Sequence, residues 1–422
     1  MTALPKTLIR VACVAASLCA SPTARADAPP LDRYEPGILP VVAADSDVGF
    51  KFGAFGQLAR FRNDVRPYAW RAQVLAVASV REGATGIESP YREAFLNFDR
   101  PCSFVPNLRL LASLGYERTT NLGYYGLGND MPAVRLWDGL TAGSDAYVQA
   151  RRTYQYDGSR PQARATLRYG AGSGWSTMGD LTLQWITVRT FAGSLLERDL
   201  LAPLPDTPTI RRGDGPSARA TIGVVYDTRD HETVTTAGQY HDLSLRCGAG
   251  FDGGASYCGA NLTARLYQGI WGGRISFAAR LVADVLWGQP GLMELASYGG
   301  VESGQGPGSG RGIRGVPQGR LAGQTKLIGN GEIRAQLFSF RIRSQRFEVM
   351  AAGFADAGRV WTRALAGTPG HDGAFRLHWG AGAGPRLRWG DSLLIRADVA
   401  YAPLGADLGS VPAIYIDVQQ VL

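Results

Sequence analysis

The stretch RISFAARLVADV (274–285) places Ile275, Phe277, Ala279, Leu281, Ala283 and Val285 on one parity and Arg274, Ser276, Ala278, Arg280 and Asp284 on the other. A period of two held over twelve residues is that of a β-strand, because successive side chains leave opposite faces of the pleat. The alternation recurs at 164–169 and 261–266, at 393–401 with Arg396 and Asp398 opposite Ile395, Ala397 and Val399, and at the end of the chain in Ile414, Ile416, Val418 and Leu422. A soluble sandwich alternates too, so run length and the chemistry of the polar face decide. Runs of ten to fifteen residues exceed the roughly five or six of globular sheets and suit strands that cross a bilayer at a tilt. Arginine and aspartate recur on the polar faces, where a wet lumen solvates them and a dry sandwich core does not.

Sixteen such runs can be counted: 48–60, 67–81, 90–100, 105–119, 145–157, 162–171, 177–191, 217–226, 240–250, 258–270, 273–286, 324–338, 345–357, 375–388, 392–402 and 411–422. An even number is usual for bacterial single-chain barrels. The expectation is an all-β, 16-stranded antiparallel transmembrane β-barrel over 48–422. Tyr68, Trp70, Tyr116, Trp287, Tyr298, Trp361 and Tyr401 lie near run ends and are expected in aromatic girdles. With the N-terminus periplasmic, 287–323 becomes the longest outward loop, following strand eleven.

Ahead of the barrel, residues 1–26 read as an export signal, with Lys6 and Arg10, a short apolar run and an Ala24-Arg25-Ala26 cleavage site. The 14 uncharged residues between Arg10 and Arg25 are too few to span a bilayer as a helix. Residues 27–47 carry no periodicity and are expected to be a flexible periplasmic leader. The formal net charge of +8 raises the question of nucleic acid, but the arginines recur singly along strands rather than as a patch, which excludes that partner. Export permits disulfides. Cys247 and Cys258 flank the turn FDGGAS and are either bridged or two free thiols; Cys102 has no evident mate.

The stretch GQGPGSGRGIRGVPQGRLAG (304–323) sets Arg311, Arg314 and Arg320 among glycines. No Gly-Lys-Ser/Thr follows, so it is not a phosphate loop. Parity turns Glu332 inward with Arg334, and Asp356 inward with Arg346 and Glu348, on adjacent strands. A guanidinium arriving between two carboxylates can bind them bidentately, as lysine cannot. Gly390-Asp391-Ser392 resembles a nucleophile block but falls at a hairpin turn, Arg212-Gly213-Asp214 falls in a polar loop, and the four histidines have neither metal nor triad spacing. No enzyme activity, cofactor or metal is expected.

Tyr226-Asp227-Thr228-Arg229-Asp230 with Thr236-Ala237-Gly238, Tyr124 to Asn129 (YYGLGN), Ile313-Arg314-Gly315-Val316, Gly329 to Arg334 and Phe354-Ala355-Asp356-Ala357-Gly358 occur in the order seen in the BamA/TamA surface-antigen family of outer-membrane barrels, which the chain resembles over 48–422. The resemblance implies a bacterial outer-membrane protein acting in insertion or translocation of protein or lipid, with a loop held in the lumen by Arg314, Gly315, Glu332 and Asp356. It further implies outer-membrane lipid and lipopolysaccharide as surroundings, client outer-membrane proteins or a separate periplasmic receptor as partners, and a monomer. Two departures stand out: Val316 replaces the motif's aromatic, and 27–47 has no room for the periplasmic POTRA domains of assembly factors. The alternative expectation is a passive pore or structural surface barrel.

Overall fold

A computed structural model describes residues 32–62, 65–101, 105, 107–201, 210–231, 234–301, 306–342, 345–364, 371–389 and 393–417. The signal segment 1–26, residues 27–31 of the leader, Cys102, Gly304, Gly390 to Ser392 and Leu422 lie outside these. Sixteen long strands follow one another around a closed antiparallel barrel. They are β1 Arg33–Asp45, β2 Gly49–Arg62, β3 Val65–Gly83, β4 Tyr91–Arg100, β5 Leu108–Gly123, β6 Gln155–Gly172, β7 Trp175–Thr190 and β8 Gly215–Asp227. The second half comprises β9 Gly238–Gly250, β10 Ser256–Ile270, β11 Ile275–Gln289, β12 Thr325–Ile342, β13 Gln345–Trp361, β14 His378–Trp389, β15 Leu393–Tyr401 and β16 Ala413–Asp417. A three-residue strand, Gly86–Glu88, only folds back on the end of β3.

Each strand pairs with its sequence neighbours, and the ring closes where Ala44 of β1 faces Ile416 of β16 and Asp45 faces Tyr415. Just beyond, the Ser46 N–H donates to the Ile414 carbonyl at 3.1 Å. The connections are long at one end of the barrel, where they carry helices α1 Asp145–Arg152 and α2 Leu195–Leu201, the 290–324 loop with α3 Leu292–Leu295, and α4 Pro403–Ala406. At the other end they are mostly shorter, the longest being 228–237. Short turns are periplasmic in such barrels, so the long loops face outward.

Two differences from the sequence reading cancel in the strand count. Residues 33–45, expected as leader, form β1, paired with β2 along its whole length. Pro36 and Pro40 masked it, but proline is tolerated in an edge strand, and β1 is where the sheet closes. Conversely, 145–157 is not a strand: Ser144 caps α1, its hydroxyl accepting from the Tyr147 N–H at 3.2 Å, and β6 begins only at Gln155. The 290–324 loop therefore still follows the eleventh strand.

The burial pattern inverts that of a soluble protein. Ile38 is 82% exposed, and Val74, Leu96, Leu114, Trp185, Ile222, Leu243, Leu281 and Val399 are exposed with it, while Asp99, Glu117, Arg246, Asp284, Lys326, Glu332 and Arg396 are buried. Apolar groups face outward to lipid and charges face a filled lumen. Among the expected girdle residues, Tyr116, Trp287 and Tyr401 are exposed and Trp70 stacks on Phe98. Tyr68 and Tyr298 differ: both are buried, Tyr68 because its hydroxyl donates to Asp99 Oδ2 at 2.7 Å, Tyr298 because it belongs to the 290–324 loop and packs inside the barrel.

Cys247 and Cys258 lie directly opposite each other in the β9–β10 hairpin and are joined as a disulfide. A bridge closing so short a loop restricts the unfolded chain by about 3 kcal/mol. Replacing both cysteines with serine is expected to lower the urea midpoint of vesicle-embedded barrel accordingly. An unchanged midpoint would show that the hairpin alone supplies this constraint.

Candidate functional site

The outward loop turns back into the barrel: every residue from 306 to 324 except Gln318 is buried. Ile313, Val316 and Leu321 pack with Tyr298 against Val282, Ile328 and Val360 of the wall and against Ala402 and Leu404. Val316, at the position where the resembled motif has an aromatic, is fully buried in this apolar core.

The three loop arginines go to different places. Arg320 donates to the Met131 carbonyl at 2.6 Å, tying the loop to the 124–154 connection. Arg311 reaches Asp417 on β16 at 3.4 Å. Arg314, with 0% side-chain exposure, is buried against the inner wall and uses its whole fork. Its Nε donates to Asp356 Oδ2 at 2.7 Å and its Nη2 to Asp356 Oδ1 at 2.9 Å, a bidentate pair on β13. Its Nη1 meets Glu332 Oε2 of β12 at 3.2 Å and Asp398 Oδ2 of β15 at 3.3 Å. Its backbone N–H adds a bond to Asp356 Oδ2 at 3.0 Å, and its Cζ lies 3.4 Å from the centroid of the Phe354 ring. Burial by itself lowers the Arg314 pKa; Asp356, then Glu332 and Asp398, more than reverse this and hold the guanidinium firmly charged.

The carboxylates are shared further. Arg334 donates to Glu332 at 2.8 Å, Arg386 to Asp398 at 2.6 Å and Arg396 to Asp398 at 2.8 Å. Asn330 donates both to Asp356, at 2.8 Å, and to the Gly312 carbonyl, at 2.8 Å. Four guanidiniums against three carboxylates leave the cluster nearly neutral, as a buried charge network requires.

The sequence-predicted residues Arg314, Gly315, Glu332 and Asp356 come together here. Gly315 has φ +91°, a backbone conformation that L side chains rarely adopt, and a Cβ there would lie 2.9 Å from the Ala402 nitrogen. Its N–H donates to the Tyr415 hydroxyl at 3.2 Å. Sequence reasoning missed Asp398, Arg386, Arg396, Phe354 and Tyr415 as members of the site. A usable signal lay in β14, where Gly380, Gly382 and Gly384 alternate on the inward face. A Cβ on Gly380 would sit 2.0 Å from the Arg314 carbonyl oxygen, and one on Gly382 would sit 2.5 Å from the Phe354 ring. This bare track lets the loop lie against the sheet and lets Arg314 reach past β14 to Asp398.

A second charged knot holds the first half of the loop. Asp284 on β11 accepts from Arg246 Nη1 at 2.8 Å and Nη2 at 3.0 Å, from Asn261 at 3.2 Å and from the Gly299 N–H at 3.0 Å. Lys326 pairs with the same carboxylate at 3.3 Å and donates to the Glu294 carbonyl of α3 at 3.0 Å. Among the described residues, no group of three or more His, Cys, Asp or Glu side chains could hold a metal ion.

A model of the Omp85 superfamily domain matches residues 96–407. Among solved structures, the chain is similar to BamA from Haemophilus ducreyi lacking POTRA domains 1–3, with TM-score 0.56 and 14% identity over 91% of this chain and 70% of that one. It is likewise similar to CdiB from Escherichia coli, with TM-score 0.56 and 13% identity over 93% of this chain and 63% of that one. The chain thus spans about two thirds of the length of these structures. No curated protein matches it. The family match covers most of the barrel, and the outward apolar belt with its charged, loop-filled lumen is the form such a barrel takes in a bilayer. The chain belongs to the Omp85 superfamily and is a bacterial outer-membrane β-barrel.

Proposed function

We propose that this barrel acts in the insertion or translocation of protein or lipid at the outer membrane, with the 290–324 loop as a lock on its lumen. The observation that carries the reading is the attachment of one buried loop arginine to β12, β13 and β15 inside the barrel. Such a device keeps a lumen shut until binding energy elsewhere displaces it. Tyr415 and Asp417, which also hold the loop, stand on β16, one of the two strands that close the barrel. Residues 1–26 are removed on export in this reading, and the barrel is monomeric in a bilayer of lipid and lipopolysaccharide. Its partners are client outer-membrane proteins or a separate periplasmic receptor, and no bond is made or broken by the protein. Depletion of the protein in its own cells is expected to lower the level of at least one other outer-membrane component, read by quantitative proteomics and lipid analysis of the outer membrane. An unaltered outer membrane after depletion would sink the assembly reading.

One observation favours a passive pore instead. A charged cavity of about 100 Å³ lies beside the loop, lined by Glu93, Glu117, Arg160, Arg164, Arg219 and Arg246. Single-channel conductance of the whole barrel, compared with a variant lacking 306–323, separates the two: steady conductance by the unaltered protein supports a pore, conductance only on deletion supports a lock.

A further inference from the structure

Among the described residues, the lipid-facing side of the barrel carries little charge at its outer end, Glu82 near the end of β3 apart, except on the next four strands. Arg92 is the second residue of β4, Arg118 lies near the outer end of β5, Asp157 is the third residue of β6 and Arg189 is next to last on β7. Arg92 shares its parity with the outward Leu96 and Phe98, Arg118 with Leu114 and Tyr116, Asp157 with Leu167 and Tyr169, and Arg189 with Leu183 and Trp185, all of them exposed. The four polar residues therefore leave the wall on the lipid side, above an apolar belt. Register makes them one row: Arg92 faces Arg118 directly across β4–β5, and Asp157 faces Arg189 across β6–β7. Arg118 bridges the middle, with Nε to Asp157 Oδ1 at 3.1 Å and Nη2 to Asp157 Oδ2 at 2.7 Å.

The charges in this row do not balance. Three guanidiniums share one carboxylate, and that carboxylate is taken by Arg118. Arg92 and Arg189 are exposed and have no hydrogen-bond or ion-pair partner among the described residues. Like charges directly opposite on neighbouring strands are destabilising, so the Arg92–Arg118 pair calls for an anion from outside the chain. Elsewhere around the barrel the same level carries Phe50, Val80, Trp287, Trp361, Trp379 and Tyr401, the usual uncharged interfacial set. Across four strands the row is about 14 Å wide, the dimension of a headgroup rather than of a single small ion.

We propose that Arg92, Arg118 and Arg189 form a docking site for a phosphorylated glycolipid of the outer leaflet, its phosphates on the guanidinium forks and its acyl chains along Leu96, Leu114, Leu183 and Trp185. Guanidinium pairs with phosphate bidentately, and the charge row sits where an outer-leaflet headgroup meets the hydrocarbon. The site rests on the outer-membrane orientation of the barrel and not on any assembly activity, so a protein that inserts nothing can still carry it.

The test is native mass spectrometry of the whole barrel in detergent, titrated with bisphosphorylated lipid A, its dephosphorylated form, and phosphatidylglycerol. The unaltered barrel is expected to hold bisphosphorylated lipid A at least about tenfold more strongly than either of the others. The double variant R92Q/R189Q, which leaves the Arg118–Asp157 pair intact, is expected to lose that preference while keeping the gel mobility of folded barrel. R346Q, at the periplasmic end, controls for loss of charge alone and is expected to bind as the unaltered protein does. Equal retention by R92Q/R189Q, or phosphatidylglycerol held as strongly as bisphosphorylated lipid A, overturns the site.

Discussion

Arg314→Ala is expected to free the loop from the lumen at a cost of about 3–5 kcal/mol, the range for removing one partner from a buried charge network. Asp356 loses both guanidinium bonds from Arg314 and keeps only the backbone N–H of that position, and Glu332 and Asp398 each lose one of their cations. The remaining Arg334, Arg386 and Arg396 still contact Glu332 and Asp398, so the damage centres on Asp356, left with Asn330 alone among the described side chains. The observable consequences are a lower temperature for the shift from folded to unfolded gel mobility and new protease cleavage within 306–323 from the outer face. Arg314→Lys is expected to fall nearer to alanine than to the unaltered protein, since a single ammonium cannot match Asp356 side-on and touch two further carboxylates. Unchanged mobility and cleavage in both variants would mean that apolar packing around Ile313, Val316 and Leu321 holds the loop without the cluster.

Asp284→Ala is expected to be comparably severe, about 3–5 kcal/mol, because it leaves two buried cations, Arg246 and Lys326, with one carboxylate fewer. The Gly299 N–H and the Asn261 amide lose their acceptor as well. The telling measurement is a double-mutant cycle with Lys326→Met. Removing the stranded ammonium is expected to recover part of the loss, so the two changes together should cost less than their sum. Strict additivity in urea unfolding would show that the two residues act independently and that the 3.3 Å pair carries no coupling. This knot holds α3 whereas Arg314 holds the second half of the loop, so the two variants are expected to expose different segments to protease.

The fold and half of the site were legible for one reason: in a barrel whose two faces meet opposite solvents, parity alone tells where a side chain points. It placed Glu332 and Asp356 inward on neighbouring strands, and only a loop rich in glycine could bring an arginine to them. Asp398 had the same inward parity as Arg396 but stands two strands from Asp356, and nothing in its own segment says that the intervening β14 is bare. The alternating glycines at 380, 382 and 384 carry that information, which reads as flexibility until a loop backbone is laid on them. Strand β1 was hidden because Pro36 and Pro40 signal a break when the neighbour that tolerates them is unknown. Tyr68 and Tyr298 were misplaced because an aromatic near a strand end suits a girdle and a lumenal hydrogen bond equally well until its parity and partner are fixed.

The loop's polar anchors also set an order of events. The Gln318 N–H donates to Asp47 Oδ1 in the β1–β2 turn at 3.2 Å, across 271 residues of chain. Gly315 reaches Tyr415 across 100 residues, and Arg311 reaches Asp417 across 106. Contacts of such separation are made late, after the loop-closure entropy of the whole ring has been met. Hairpins such as β9–β10 need only their own turn, whereas the lumenal core needs both ends of the chain in place. The barrel is therefore expected to mature from its middle hairpins outward, and pulse-labelling of backbone amides during refolding into vesicles should find the 306–324 segment protected last.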